Sequence, residues 1–254
     1  MAEGAGTFLL VAIGPGAMML DARSPGAVGA IGIAVAFGVA VALAIWLFGD
    51  VSGAHINPAG TVGLAAAGHF RREDAAAYVG AQLVGAVVAA CLLRAVLGPV
   101  GHLGATLPAA GIGASVVLEC LMSFALMSAV LCVVVQGWDR WVGGLVIGAV
   151  VGLCAYFGGA YTGASMNPAR SFGPAVAGGE WSGHWIYWVA PIAGMLGAAV
   201  LGRSLFSAPP APSHSSRVPP AGAPAAVRVG DRGRDDLVAP TGPAPAGALR
   251  RPEG

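Results

Sequence analysis

Charged residues are scarce in this sequence, and lysine is absent. Only 10% of the 254 residues are charged, against roughly a quarter in soluble proteins, and all 13 basic residues are arginine. The formal net charge of +1 excludes a nucleic-acid binder that relies on bulk positive charge. Because 56% of the residues are hydrophobic and the mean hydropathy is +0.76, a water-soluble globule is excluded and a lipid bilayer is the expected solvent.

Motifs for metal binding and for catalysis are also missing. The sequence has no His-Glu-x-x-His pattern, serine nucleophile elbow or Cys-His arrangement. Four cysteines lie in apolar segments without the paired spacing of a metal site: Cys91, Cys120, Cys132 and Cys154. The sequence therefore predicts neither an enzyme nor a bound metal or cofactor.

Six apolar runs are long enough to cross a membrane. A helix needs roughly 20 residues, at about 1.5 Å each, to span about 30 Å of hydrocarbon. The runs lie at about 3–22, 27–48, 74–97, 112–135, 141–159 and 185–206. An even number of spans places both termini on the same side of the membrane.

The arginines near the ends of the spans and between them suggest an orientation. Four fall on the side of the termini: Arg71, Arg72, Arg140 and Arg203. Only Arg23 and Arg94 fall on the opposite side. The positive-inside rule therefore predicts a multi-pass protein of the plasma (inner) membrane with both termini in the cytoplasm.

The chain divides into an apolar part and a tail. Residues 207–254 are rich in Pro, Ala and Gly and lack a periodic apolar face, which predicts a disordered cytoplasmic extension. Residues 1–206 are predicted to form one membrane-embedded domain made of two repeats, at about 1–100 and 110–206.

Two shorter apolar stretches, 57–66 and 167–177, predict half-length helices. Ten residues reach about 15 Å, half of the bilayer core. Each stretch follows a similar octapeptide, SGAHINPA at 52–59 and TGASMNPA at 162–169, with five of eight positions matching at an offset of 110 residues. Because each repeat has three full spans, an odd number, the second repeat is inverted and the half-helices point at each other.

The paired motifs predict a polar passage at the centre of the membrane. Asparagine caps a helix N-terminus and proline fits its first position, so we expect both half-helices to begin at the motifs. The motif residues are Asn57, Pro58, Ala59, Asn167, Pro168 and Ala169. Non-helical backbone at this depth is tolerated where it lines an aqueous cavity. The expected pore-lining carbonyls belong to Gly53, Ala54, His55, Ile56, Gly163, Ala164 and Ser165.

These motifs resemble those of the major intrinsic protein family, the aquaporins and aquaglyceroporins. The resemblance covers about residues 2–206 and includes EGAGTF at 3–8, Glu119, and NPARSFG at 167–173. It implies an all-α membrane protein with six transmembrane helices and two re-entrant half-helices in an inverted repeat. It also implies passive conduction, and a homotetramer with one pore per subunit.

The resemblance assigns a selectivity filter to Phe37, Ala155, Ala164 and Arg170. Arginine at the bilayer centre costs roughly 2.5–3.5 kcal/mol, so Arg170 is expected in a wet, functional position. Water-selective relatives carry histidine where this chain has Ala155. A methyl group there removes a donor and widens the constriction, which should admit solutes larger than water.

Other positions resemble the water-channel branch of the family: Ser171, Ala175, Tyr187 and Trp188. The prediction is therefore a passive water channel that excludes protons and ions and is open to small uncharged solutes. The alternative is a broader facilitator of glycerol, urea or metalloid hydroxides. By resemblance Glu3 and Glu119 brace the re-entrant loops, with a proton relay as the competing interpretation. An ion-coupled secondary transporter is a remote alternative, since inverted repeats and broken helices are common there too.

Overall fold

Eight α-helices make up most of the described part of the chain, residues 1–206 of a computed structural model, and no strand occurs there. The predicted tail, 207–254, lies outside the described residues. The six long helices are α1 (Ala2–Arg23), α2 (Gly29–Ser52), α4 (Ala75–Leu97), α5 (Ile112–Gln136), α6 (Arg140–Thr162) and α8 (Ile186–Phe206). The two half-length helices are α3 (Pro58–Ala67) and α7 (Pro168–Gly178). The predicted architecture of six spans and two half-spans is confirmed.

The ends of α2 and α6 differ from the prediction. Both helices continue past the apolar runs, which end at about 48 and 159, and stop only at Ser52 and Thr162. Each ends because the next residue, Gly53 or Gly163, adopts a left-handed conformation with φ of 84° and 79°. The helices therefore lead directly into the two motif octapeptides.

Glycines allow equivalent helix pairs in the two repeats to pack backbone against backbone. A Cβ on Gly85 of α4 would lie 2.1 Å from the carbonyl oxygen of Gly4 in α1. A Cβ on Gly194 of α8 would lie 2.1 Å from the carbonyl oxygen of Cys120 in α5. Since Gly4 and Cys120 directly follow Glu3 and Glu119, these contacts hold both acidic residues close to the centre of the bundle.

The two repeats meet along α2 and α6. A Cβ on Gly148 of α6 would lie 2.5 Å from the carbonyl oxygen of Gly38 in α2. On the outside of the bundle the long helices expose large apolar side chains, including Ile31, Val96, Phe157 and Val200. Such a surface suits lipid and not water, in agreement with a multi-pass membrane protein.

We expect Gly85→Ala to lower the melting temperature of the protein. The added methyl group overlaps the Gly4 carbonyl, and overpacking of this kind costs about 1–3 kcal/mol. Gly80→Ala on the same helix is the matched control, because an added Cβ there meets nothing within 4 Å. Thermal unfolding of the purified variants in one detergent would compare them. Equal melting temperatures for the two variants would contradict the proposed close contact.

Candidate pore between the two half-helices

Both half-helices begin at an asparagine in the interior of the bundle. The side-chain oxygen of Asn57 accepts hydrogen bonds from the backbone N–H of Ala59 (2.9 Å) and Gly60 (3.3 Å). The Asn167 oxygen does the same for Ala169 (3.0 Å) and Arg170 (3.3 Å). The helix N-termini, which carry partial positive charge, therefore lie deep in the protein.

The two asparagines also tie the half-helices together. Asn57 Nδ2 donates to the carbonyl oxygen of Met166 (2.8 Å), and Asn167 Nδ2 donates to that of Ile56 (2.8 Å). A side-chain amide has two N–H groups, so a second donor remains on each asparagine. The Ile56 carbonyl was expected from the sequence, whereas that of Met166 was not. The octapeptide repeat could have found Met166, since it occupies the same position in the second copy.

The loops before the half-helices have an unusual backbone. The residues with positive φ are Gly53 (84°), Ala54 (47°), Ile56 (45°), Gly163 (79°), Ala164 (42°) and Met166 (51°). A residue other than glycine in this region costs on the order of 1–2 kcal/mol. The two loops therefore need strong contacts to hold them.

A buried carboxylate supplies such contacts to the first loop. Glu3 Oε1 accepts hydrogen bonds from the Ser52 hydroxyl (2.6 Å) and the backbone N–H of His55 (3.0 Å). Oε2 accepts from the backbone N–H of Ile56 (2.7 Å) and from Gln82 Nε2 (2.8 Å). Gln82 had not been singled out in the sequence, because a lone glutamine in a span carries no specific signal.

The second loop is held in the same way. Glu119 Oε1 accepts hydrogen bonds from the Thr162 hydroxyl (2.7 Å) and the backbone N–H of Ser165 (2.8 Å). Glu119 Oε2 accepts from the backbone N–H of Met166 (2.7 Å). A buried carboxylate that accepts several hydrogen bonds stabilises the donors it faces. The two repeats thus use one arrangement twice.

A cavity of about 410 Å³ runs past the two motifs. Its wall includes the two motif asparagines, Asn57 and Asn167, together with Phe37, Asp50, His69, Arg140, Ala164 and Arg170. Among the predicted loop residues, Gly53, Ala54, His55, Ile56, Ala164 and Ser165 also line it. Gly163 is placed elsewhere and packs against Thr106, whose Cα would lie 3.0 Å from an added Cβ.

Arg170 lines the cavity and is only 1% exposed. Its guanidinium carbon lies 4.9 Å from the centre of the Phe37 ring. Nη1 donates to the Gly104 carbonyl oxygen (2.7 Å), and Nη2 contacts Met18 Sδ (3.1 Å). Nε has no partner among the described residues. Met18 and Gly104 carry no local signal that would have linked them to Arg170 in the sequence.

The four predicted filter positions are not equally placed. Phe37, Ala164 and Arg170 line the cavity together. Ala155 does not appear among the described lining residues. It is half-buried on α6 and packs against the hydrophobic cluster that contains Phe37 and Ala164.

Comparisons with known proteins identify the family and the fold. Residues 1–201 match the family described as Major intrinsic protein. Aquaporin TIP4-4 of Zea mays is 43% identical over 218 residues, which covers 80% of this chain and 84% of the relative. Aquaporin NIP1-2 of Oryza sativa subsp. japonica is 39% identical over 205 residues, which covers 76% of this chain and 67% of the relative.

A solved structure shares the fold. The X-ray structure of the aquaglyceroporin from Plasmodium falciparum matches with a TM-score of 0.72 and 23% identity, over 79% of this chain and 92% of that chain. At this identity the likeness concerns the fold alone. With the family match over most of the chain, the six spans and the paired half-helices, the conclusion is that this chain belongs to the major intrinsic protein family of membrane channels for water and small solutes.

Proposed function

We propose that this channel conducts water passively, excludes protons and other ions, and also passes small uncharged solutes. The observation that supports it most is a cavity whose wall includes Asn57, Asn167 and Arg170. Its lining is largely apolar side chains with a few polar groups, so a water molecule has few partners and moves without strong binding.

The centre of the passage supplies the proton barrier in this proposal. Each asparagine offers its second N–H to a passing water oxygen, and the two helix N-termini add positive potential. A water molecule held through its oxygen by two donors points its own hydrogens away along the pore. It cannot accept a proton from its neighbours, and cations are repelled.

The loop backbone depends on Glu3 and Glu119 in this proposal. Both carboxylates accept backbone N–H groups of the loops. The Ile56 and Met166 carbonyls accept from Asn167 and Asn57, and in this proposal the other loop carbonyls face the passage. This bracing role explains why two acids are buried in the bundle, and it makes a proton relay unnecessary.

The filter is assigned to Phe37, Ala155, Ala164 and Arg170. Arg170 contributes fixed positive charge at the wall of the cavity. Two of the four positions are alanine, so the opening beside Phe37 is wider than one that carries histidine. This favours passage of glycerol or urea as the second candidate function.

Ala155→His should lower glycerol and urea flux by roughly tenfold or more while water flux falls much less, because a larger donor narrows the opening and still suits water. Stopped-flow light scattering on proteoliposomes would measure all three fluxes in one preparation. Ala155→Leu, which adds bulk without a donor, is the control and should reduce water flux as well. Equal loss of water and solute flux in Ala155→His, or no loss of either, contradicts the filter assignment.

The proposed function itself is tested by the unmodified channel in the same vesicles. Water permeability should exceed that of protein-free liposomes, with no proton conductance. Accumulation of a solute against its gradient, driven by protons or sodium, would show a secondary transporter instead.

We also propose a homotetramer with cytoplasmic termini in the plasma (inner) membrane, with residues 1–206 as the channel domain. The distribution of Arg71, Arg72, Arg140 and Arg203 against Arg23 and Arg94 supports the orientation. Light scattering coupled to size-exclusion chromatography tests the tetramer, and protease access to the termini in sealed vesicles tests the orientation.

A further inference from the structure

Three buried hydroxyl groups form a chain behind the second re-entrant loop. Thr106 Oγ1 lies 2.8 Å from Ser171 Oγ, and Ser171 Oγ lies 2.5 Å from Ser165 Oγ. Ser165 Oγ donates to the carbonyl oxygen of Asn167 at 2.9 Å. All three side chains are at most 5% exposed.

The chain has one consistent direction. A hydroxyl donates one hydrogen bond and accepts others, so Thr106 donates to Ser171, Ser171 to Ser165, and Ser165 to Asn167. Successive hydrogen bonds of this kind polarise and strengthen one another in a low-dielectric interior. The chain therefore connects the segment around Thr106 to the second motif.

The segment around Thr106 carries the partner of Arg170. Gly104, two residues earlier, accepts a hydrogen bond from the Arg170 guanidinium. Residues 101–104 all have positive φ, between 49° and 66°. The turn has two internal backbone hydrogen bonds, from Leu103 to Val100 (2.9 Å) and from Ala105 to His102 (3.0 Å), and contacts on both sides hold it in place. On one side Gly104 lies against Pro15, and on the other Thr106 lies against Gly163 and is hydrogen bonded to Ser171.

We propose that Thr106, Ser171 and Ser165 are positioning residues for solute selectivity. Their hydroxyl chain fixes the Gly104 carbonyl relative to the second motif, and this carbonyl fixes the Arg170 guanidinium above the Phe37 ring. When the chain is broken the guanidinium gains freedom, and the opening admits larger solutes. The proposal rests on the filter role of Arg170 in the proposed function.

Thr106→Val tests it, because valine has the shape of threonine without the hydroxyl. We expect the ratio of glycerol to water permeability in proteoliposomes to rise about fivefold, the change that one net hydrogen bond supports. Thr106→Ser keeps the hydroxyl, so its glycerol to water permeability ratio should stay near that of the unmodified channel. Ser123→Ala is the matched control, since Ser123 is buried on α5 and its hydroxyl has no partner among the described residues.

The permeability ratio does not depend on how much channel folds, so a purely structural role of Thr106 would leave it unchanged. That result, or an equal rise in Thr106→Ser, overturns the proposal. If Thr106→Val yields no folded channel, Ser171→Ala is scored by the same ratio and the same criteria. The double variant Thr106→Val/Ser171→Ala should raise the permeability ratio no further than either change alone, because both changes break the same hydroxyl chain. Additive rises in the ratio contradict the proposal.

Two outcomes separate this proposal from the proposed function. If the unmodified channel moves no water above protein-free liposomes, the proposed function fails. If the unmodified channel conducts and Arg170→Val raises the glycerol ratio while Thr106→Val does not, only the positioning role fails.

Discussion

Replacing Arg170 with valine should open the pore to protons or cations while water continues to move. The guanidinium is a fixed positive charge at the wall of the cavity, over the ring of Phe37. Two like charges 4 Å apart repel by about 4 kcal/mol at an effective dielectric constant of about 20. Removing this repulsion should raise proton or cation conductance by at least roughly tenfold, with water permeability retained within a few-fold.

Proteoliposomes that contain a pH-sensitive dye, with an imposed potential, measure the proton flux. Arg170→Lys is the matched control. It keeps the charge but loses the planar fork that contacts Gly104, so it should still exclude cations while its solute ratio changes. If Arg170→Lys leaks as much as Arg170→Val, geometry and not charge provides the barrier. An unchanged proton flux in Arg170→Val would remove Arg170 from the barrier altogether.

Replacing Glu119 with glutamine should lower both stability and water permeability. The carboxylate accepts hydrogen bonds from Thr162 and from the backbone N–H groups of Ser165 and Met166. Glutamine retains one acceptor oxygen and turns an NH₂ group toward a donor. A buried N–H left without a partner costs about 1–3 kcal/mol, and the positive-φ backbone at Met166 loses its support.

Thermal unfolding and water flux per channel would be measured on the same preparation. Glu3→Gln, the equivalent change in the first repeat, should act in the same direction. Glu73→Gln is the control, because the Glu73 side chain is 74% exposed and exposed ion pairs contribute about 0–1 kcal/mol. A Glu119→Gln channel that is as stable and as permeable as the Glu73→Gln channel would refute the bracing role. If the Glu119→Gln channel keeps its flux rate but that flux no longer depends on a proton gradient, the result would favour a proton-relay role for Glu119.

Glu3 and Glu119 illustrate how much of the site could be predicted from the sequence. Their burial and their equivalent places in the repeats were predictable, because an acid within an apolar span requires a partner. The partners were not all predictable. The backbone N–H groups of Ile56 and Met166 become donors only because the loops fold back with positive φ at these residues.

In the filter, too, some residues were predictable from the sequence and their contacts were not. Arg170 was identified by the cost of a charge in an apolar half-helix, and Phe37 by resemblance. The contact between them, and the Gly104 carbonyl that holds Arg170, join elements far apart along the chain. Ala155, like Phe37, was assigned by resemblance, and its predicted role awaits the flux measurements.

The sequence alone determined the number of spans, the two half-helices and their inverted arrangement. Bilayer thickness sets helix length, and Asn-Pro starts a helix through contacts within three residues, so both rules can be applied to a local pattern. The tertiary structure decided which groups meet at the pore: the Met166 carbonyl with Asn57, Gly104 with Arg170, and the hydroxyl chain through Ser171. Those contacts depend on how closely glycine faces let the helices approach, and a local pattern does not encode the distance between segments that meet only after packing.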